Sequence, residues 1–242
     1  MTHIPYLDDE SPVFPPTSLA LSEEPNGLLA VGGNLEPNTL FSAYSKGIFP
    51  WFSPGEPILW WSPSPRMSLS PNEAHFSRSL KKLARKQPFR ISVDQSFEQV
   101  IAHCAAAARP GQEGTWISDE MQDAYLTLHE LGIAHSIESW CGDQLVGGLY
   151  GVGIGAVFFG ESMFSTQTGA SKLAFASLCS QLKIWEFDMI DCQIHTPLLA
   201  SFGAHEIDRV EFESRLTKAV DKKAPFNWPT NWSLPECGFD GS

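Results

Sequence analysis

The chain has 242 residues, 43% hydrophobic and 18% charged, enough to bury a core without disulfide or metal staples and too apolar for a disordered protein. Sixteen basic against 28 acidic residues give a net charge of −12, which on average repels nucleic acid. The opening MTHIPYLDDE lacks the basic and apolar regions of a signal peptide. The uncharged run 144–160 is Gly-rich and has 17 residues, whereas a membrane span needs about 20 apolar ones, so a cytoplasmic protein without a membrane segment is expected.

Eleven of the 18 prolines fall within the first 65 residues, which marks residues 1–66 as a turn-rich N-terminal domain with a short strand at LLAVGG and a short helix at PNTLFSAYSKG. Residues 67–242 form the second domain. There the pattern predicts helices at 73–87, 95–108, 118–131, 171–185 and 208–220, and strands at FRISVD, HSIESWC, QLVGGLYGV, AVFFGESMF and FDMIDCQI. Three consecutive strands followed by a helix and a further strand predict an α+β fold with a mixed sheet rather than a doubly wound parallel one.

One segment departs from the acidic average. HFSRSLKKLARKQPF holds Phe76, Leu80 and Leu83 on one helical face and Arg78, Lys81, Lys82 and Arg85 on another. Such a face either solvates an exposed helix or contacts a polyanion; in so acidic a chain it points to the polyanion.

Glu161 interrupts the apolar FFGESMF run, which is costly unless the acid is paired or hydrogen-bonded. Asp191 and Gln193 stand two apart at a strand end, so period-two alternation predicts one shared face. A strand-end Asp alone also serves as a turn or cap residue; with Glu161 in a neighbouring strand, the three predict a polar cleft floor. Trp51, Trp60, Trp61 and Trp116 lie among Gly and Pro, and core filling and a stacking platform both remain open for them. No Walker loop, G-x-S-x-G elbow or H-E-x-x-H occurs, and His103, His129 and His135 read as helix or strand residues rather than ligands, so no metal is expected. Five cysteines without C-x-x-C spacing predict reduced thiols.

EPNGLLAVGGNL, SKGIFPWFSPGEPILWWSPSPR, EGTWI, FFGESMFS with ASK, and IDCQ followed by SFGA together resemble the leucyl/phenylalanyl-tRNA–protein transferase family. The resemblance implies a small N-terminal domain and a C-terminal acetyltransferase-like (GNAT) domain. It implies transfer of Leu, Phe or, less readily, Met from aminoacyl-tRNA to the α-amine of proteins beginning with Arg or Lys, which marks them for degradation by the N-end rule. No cofactor is implied, because ester aminolysis is downhill, and nothing in the sequence requires more than a monomer. By the same resemblance Gln193 accepts a hydrogen bond from the attacking amine, Asp191 orients and polarises it or serves as base, and Glu161 holds the acceptor's cationic residue or ammonium. Trp51 and Trp116 wall the aminoacyl-adenosine, and Leu149, Phe158, Met163, Phe175 and Leu178 line the apolar side-chain pocket. Arg78, Lys81, Lys82 and Arg85 bind acceptor-stem phosphates. Thr196 fills a family position, while Leu198 stands where relatives often carry a histidine.

Two other functions compete on the residues. An acetyl-CoA-dependent N-acetyltransferase needs a Q/R-x-x-G-x-G/A loop, and STQTGASK places Gln167 and Gly169 at the wrong spacing. A Trp-rich module with a basic helix also suits a non-catalytic RNA- or peptide-binding protein.

Overall fold

The computed structural model describes residues 4–107, 115–225 and 227–234. Residue 108 of the predicted helix 95–108, Glu113 and Gly114 of EGTWI, and Cys237 lie outside them.

A four-stranded sheet of order β1-β2-β4-β3 opens the chain: β1 (Tyr6–Leu7), β2 (Leu28–Gly32), β3 (Phe49–Pro50) and β4 (Leu59–Trp61). Between β2 and β3 lies α1 (Pro37–Tyr44), started by Pro37 in its first turn and followed by Gly47 in the left-handed region at φ 73°. Trp60 is fully buried and donates from Nε1 to the Gly32 carbonyl at 2.8 Å, so this tryptophan is core.

The larger sheet is mixed. It contains β5 (Arg66–Leu69), β6 (Arg90–Val93), β7 (Ala134–Cys141), β8 (Gln144–Ile154), β9 (Val157–Ser165), β10 (Met189–Gln193) and β11 (His205–Ile207) in the order β11-β5-β10-β9-β8-β7-β6. Only the β9–β10 pairing is parallel, and the chain crosses between them through α5 (Ala170–Ile184). The mixed α+β organisation expected from the element order is present.

Two buried clusters occupy opposite faces of this sheet. Val157 and Phe159 pack into one with α1, α3 (Phe97–Ala106), α4 (Asp119–Glu130) and α7 (Arg209–Val220), while Phe158 between them packs into the other with α2 (Arg78–Arg85) and α5. The first cluster also takes in Leu29, Phe49 and Trp60, so the small sheet shares its core with one face of the large one. Two one-turn helices, α6 (Pro197–Ala200) and α8 (Trp228–Asn231), complete the α-helices among the described residues.

The basic helix is shorter than the predicted 73–87. Pro71–Glu73 form a separate 3₁₀ turn, and Ser77 caps α2 by accepting from the Leu80 N–H at 3.2 Å, so the helix begins at Arg78. Strands β1, β3, β4, β5 and β11 were not predicted; all are four residues or fewer, too short to show alternation. Among the described residues no helix is long and apolar enough to cross a membrane.

Gly151 sits at a bulge where β8 shifts register against β9, and a Cβ there would lie 2.2 Å from the Phe159 carbonyl oxygen and 2.6 Å from the Phe158 ring. Gly151→Ala is expected to lose about 1–3 kcal/mol of stability by overpacking. Urea denaturation checks this as a lowered midpoint with an unchanged slope.

Candidate active site

A cavity of about 870 Å³ opens where the two sheets meet. The small sheet and its loops contribute Asn26, Phe49, Trp51, Trp61 and Pro63; β8, β9 and α5 contribute Leu149, Phe158, Glu161, Met163 and Phe175; and the end of β10 with the following loop contributes Cys192, Gln193, Thr196 and Leu198. Trp116, just before α4, closes one side. Trp51 and Trp61 stand 5.6 Å apart with rings tilted by 59°, and Trp61 Nε1 donates to the Trp51 carbonyl at 2.6 Å, which holds the Trp51 backbone in place.

Four of the five apolar residues expected in the pocket therefore line it. Leu178 does not: it lies about one helical turn beyond Phe175 and is fully buried in the core on the α5 face of the sheet. Thr196 lines the cavity, but its hydroxyl also caps α6 by accepting from the Leu199 N–H at 3.2 Å. Leu198 lines the same wall.

Glu161 faces the cavity from β9 and receives three donors. The Tyr44 hydroxyl from α1 lies 2.8 Å from Oε1, the Tyr125 hydroxyl from α4 lies 2.9 Å from Oε2, and Gln193 Nε2 lies 2.9 Å from Oε1. The two tyrosine hydroxyls also contact each other, and with one proton apiece they fill two of these three oxygen–oxygen contacts while Glu161 is ionised, the third being filled when Glu161 carries a proton. The cost anticipated for an acid in an apolar strand is thus met by hydrogen bonds rather than by a countercharge. Burial raises the Glu161 pKa to about 7, the three donors pull against that shift, and the Asp191 carboxylate adds to it. Burial also pushes both tyrosine pKa values well up, which keeps their protons available for donation.

An ionised carboxylate only accepts, so the Gln193 amide must turn its nitrogen to Glu161. Its oxygen carries no hydrogen bond among the described residues and is left for a donor in the cavity. Gln193 has φ 62°, a left-handed conformation that costs a residue with a Cβ about 1–2 kcal/mol. The β10–β5 register shifts between Asp191 and Gln193, so the alternation that predicted one shared face for the pair is broken there.

Asp191 is not among the lining residues. It is fully buried, with Oδ1 accepting from Arg66 Nε at 2.8 Å and from the Gln193 backbone N–H at 2.9 Å, and Oδ2 accepting from Arg66 Nη2 at 2.7 Å. Cys192 lines the cavity between them in sequence, and burial, and then the Asp191 charge, push its thiol pKa up. Arg78, Lys82 and Arg85 are exposed and Lys81 half-buried on α2, outside the cavity. No cluster of three or more metal-ligating side chains occurs among the described residues, and Cys141, Cys179 and Cys192 form no disulfide.

The residues match a known family along most of the chain. The model of the leucyl/phenylalanyl-tRNA protein transferase matches residues 68–217, and the model of that protein's N-terminal domain matches residues 33–64. The chain belongs to the leucyl/phenylalanyl-tRNA–protein transferase family. A relative of that name from Saccharophagus degradans is 53% identical over 98% of this chain and 99% of its own. Another from Nitrosospira multiformis is 56% identical over 90% and 93%. As a family member the chain is an aminoacyltransferase. A solved structure described as L-PGS from Bacillus licheniformis superposes with a TM-score of 0.38 at 9% identity over 70% of this chain and 54% of that one, too low to carry an argument about fold.

For a leucyl/phenylalanyl-tRNA–protein transferase the arrangement is chemically apt. An apolar pocket adjoins a carboxylate with an uncommitted amide oxygen beside it, and the lining includes Glu24, Glu161 and Glu206 but, among the described residues, no Lys or Arg. Reading the sequence alone missed Arg66, Tyr44 and Tyr125. Arg66 closes the quoted SPSPR block, and a lone arginine between Pro65 and an apolar strand was the signal available.

Proposed function

We propose that the protein transfers Leu or Phe, and less readily Met, from aminoacyl-tRNA to the α-amine of proteins beginning with Arg or Lys, acting as a cytoplasmic monomer and marking its products for N-end rule degradation. The observation that carries this reading is Glu161, a carboxylate held by two tyrosines and an amide at the polar end of an otherwise apolar cavity. Residues 1–66 and 67–242 are read as its two domains, the second as a GNAT-like sheet with its flanking helices.

Leu149, Phe158, Met163 and Phe175 take the donor side chain, and Trp51 and Trp116 wall the terminal adenosine. An apolar pocket separates side chains differing by one methylene by only about 1–3 kcal/mol, which fits tolerance of Leu, Phe and Met. Glu161 holds the acceptor's cationic side chain or its ammonium. The α-amine attacks the ester carbonyl carbon, the carbonyl–oxygen bond to the ribose breaks, and the amine's proton ends on that ribose oxygen. Gln193 accepts a hydrogen bond from the amine through its side-chain oxygen and orients it; an amide is too weak a base to take the proton outright. Asp191, buried behind the wall, acts through Gln193.

The testing experiment supplies purified protein with radiolabelled Leu-tRNA or Phe-tRNA and peptides beginning with Arg, Lys or Ala, and offers acetyl-CoA in a parallel set. Label on the Arg and Lys peptides alone supports the reading; acetylation without aminoacyl transfer overturns it.

The basic face of α2 is assigned to acceptor-stem phosphates. Leu83 packs α2 against Gly169 at the start of α5, the helix that also supplies Phe175 to the cavity. Replacing Lys81 and Lys82 together by Ala is expected to weaken tRNA binding and to flatten the slope of log K against log salt by roughly 1.4–1.8. A salt titration of tRNA affinity checks it; an unchanged slope removes these lysines from the interface.

A further inference from the structure

Arg66 is 1% exposed, and its guanidinium lies between the rings of Phe49, 4.8 Å away on the small sheet, and Phe212, 4.7 Å away on α7. Its Nε and Nη2 grip both oxygens of Asp191. Asp191 Oδ1 also accepts the backbone N–H of Gln193, the residue in the left-handed conformation whose amide faces Glu161. A continuous chain of bonds thus runs from the aromatic sandwich through Asp191 to the amide at the cavity wall.

Such an arrangement is a poor device for stability alone. Replacing a buried ion pair by apolar residues of similar volume is often neutral or stabilising, and here Arg66 Nη1 is buried without a hydrogen bond. What the pair does supply is orientation. A bidentate guanidinium fixes the carboxylate plane, the fixed carboxylate holds one backbone N–H, and that N–H holds a strained φ that ordinary strand geometry does not favour.

We infer that Arg66 is a positioning residue for aminoacyl transfer: by locking Asp191 it holds the Gln193 backbone in the turn that aims the Gln193 amide at the reacting amine. The inference rests on the role given to Gln193 above. Arg66 touches no substrate and moves no proton. Lysine cannot replace it, because an ammonium is a point donor and cannot fix a carboxylate plane with two parallel bonds.

The test compares R66K, R66A, D191N, R66K/D191N and Q193A by single-turnover transfer to an Arg peptide, with tRNA affinity and thermal melting measured on each. R66K is expected to fold and to bind aminoacyl-tRNA like the parent while kcat falls about tenfold or more, since a displaced reacting group is costly. The double variant is expected to be no slower than the slower of R66K and D191N within about threefold, because both act along one path. Guanidinium at low millimolar concentration is expected to restore part of the kcat of R66A, with urea as the control; should R66A fail to fold, R66K and the double variant decide alone. R66K with parental kcat beside an impaired Q193A overturns the inference and leaves Gln193 in its role. Losses that multiply in R66K/D191N likewise overturn it. A parental kcat in Q193A overturns the role of Gln193, and the inference falls with it.

Discussion

Glu161→Gln is expected to lower kcat/KM for Arg-initiated peptides by roughly 30- to 900-fold, equivalent to about 2–4 kcal/mol, the usual cost of removing one partner of a desolvated charge pair. Tyr44, Tyr125 and Gln193 remain in place around a side chain of the same shape, so the loss should appear in acceptor KM, with aminoacyl-tRNA affinity held. A variant within threefold of the parent for Arg peptides would take Glu161 out of acceptor binding. The same carboxylate sets a pH dependence. Because burial raises its pKa to about 7, the charged form that attracts a cation grows in as pH rises through 7, and acceptor KM should fall between pH 6 and 8 in the parent but not in the variant. Stability runs the other way. A carboxyl whose folded pKa is raised contributes stability that is fully present below its unfolded pKa of about 4.3 and is lost as pH rises through about 7. Parallel acceptor titrations and thermal melts on parent and Glu161→Gln separate the two slopes.

Gln193→Ala is the second large effect. Misplacing a reacting group costs on the order of 10²-fold, and a loss of about that size in kcat is expected with aminoacyl-tRNA affinity unchanged. The variant also removes one of the three donors that hold down the Glu161 pKa, so the acceptor pH profile should move to higher pH. Single-turnover transfer read against pH tests both parts, and a kcat loss below threefold would return Gln193 to a structural role.

Much of the frame was legible because local periodicity carries it. Glu161 stood out as the lone acid of an apolar strand, the predicted helix 171–185 is present as α5, and Trp51, Trp61 and Trp116 all reach the cavity. Trp60 took the other course open to it and fills the core, a choice made by tertiary packing. Roles for Gln193 and Asp191 came from family resemblance; alternation would have set the pair on one face, and the bulge at the end of β10 is a sheet-register feature that strand pattern does not carry. Leu178 shares the apolar stripe of Phe175, and periodicity cannot say which turn of a buried helix meets the cavity and which meets the core. Tyr44 and Tyr125 read as ordinary members of amphipathic helices, and Arg66 as the end of a proline-rich loop. Their partners lie far along the chain and become neighbours only when the two sheets share a core.

The rings of Phe49 and Phe212 around Arg66 also tie the two sheets together. Phe49 and Arg66 stand more than a hundred residues before Asp191 and Phe212 in the chain, so the clamp joins segments that are far apart in sequence. Without β10 the guanidinium has no countercharge, and without α7 it has no second ring. Trp60 and Phe49 belong to one core with Val157, Phe159 and Phe212, so the small sheet and its junction with the large sheet are built from the same packing. The clamp therefore exists only in a chain folded across both sheets, and the order it gives the Gln193 turn is a property of the assembled protein, not of either sheet alone.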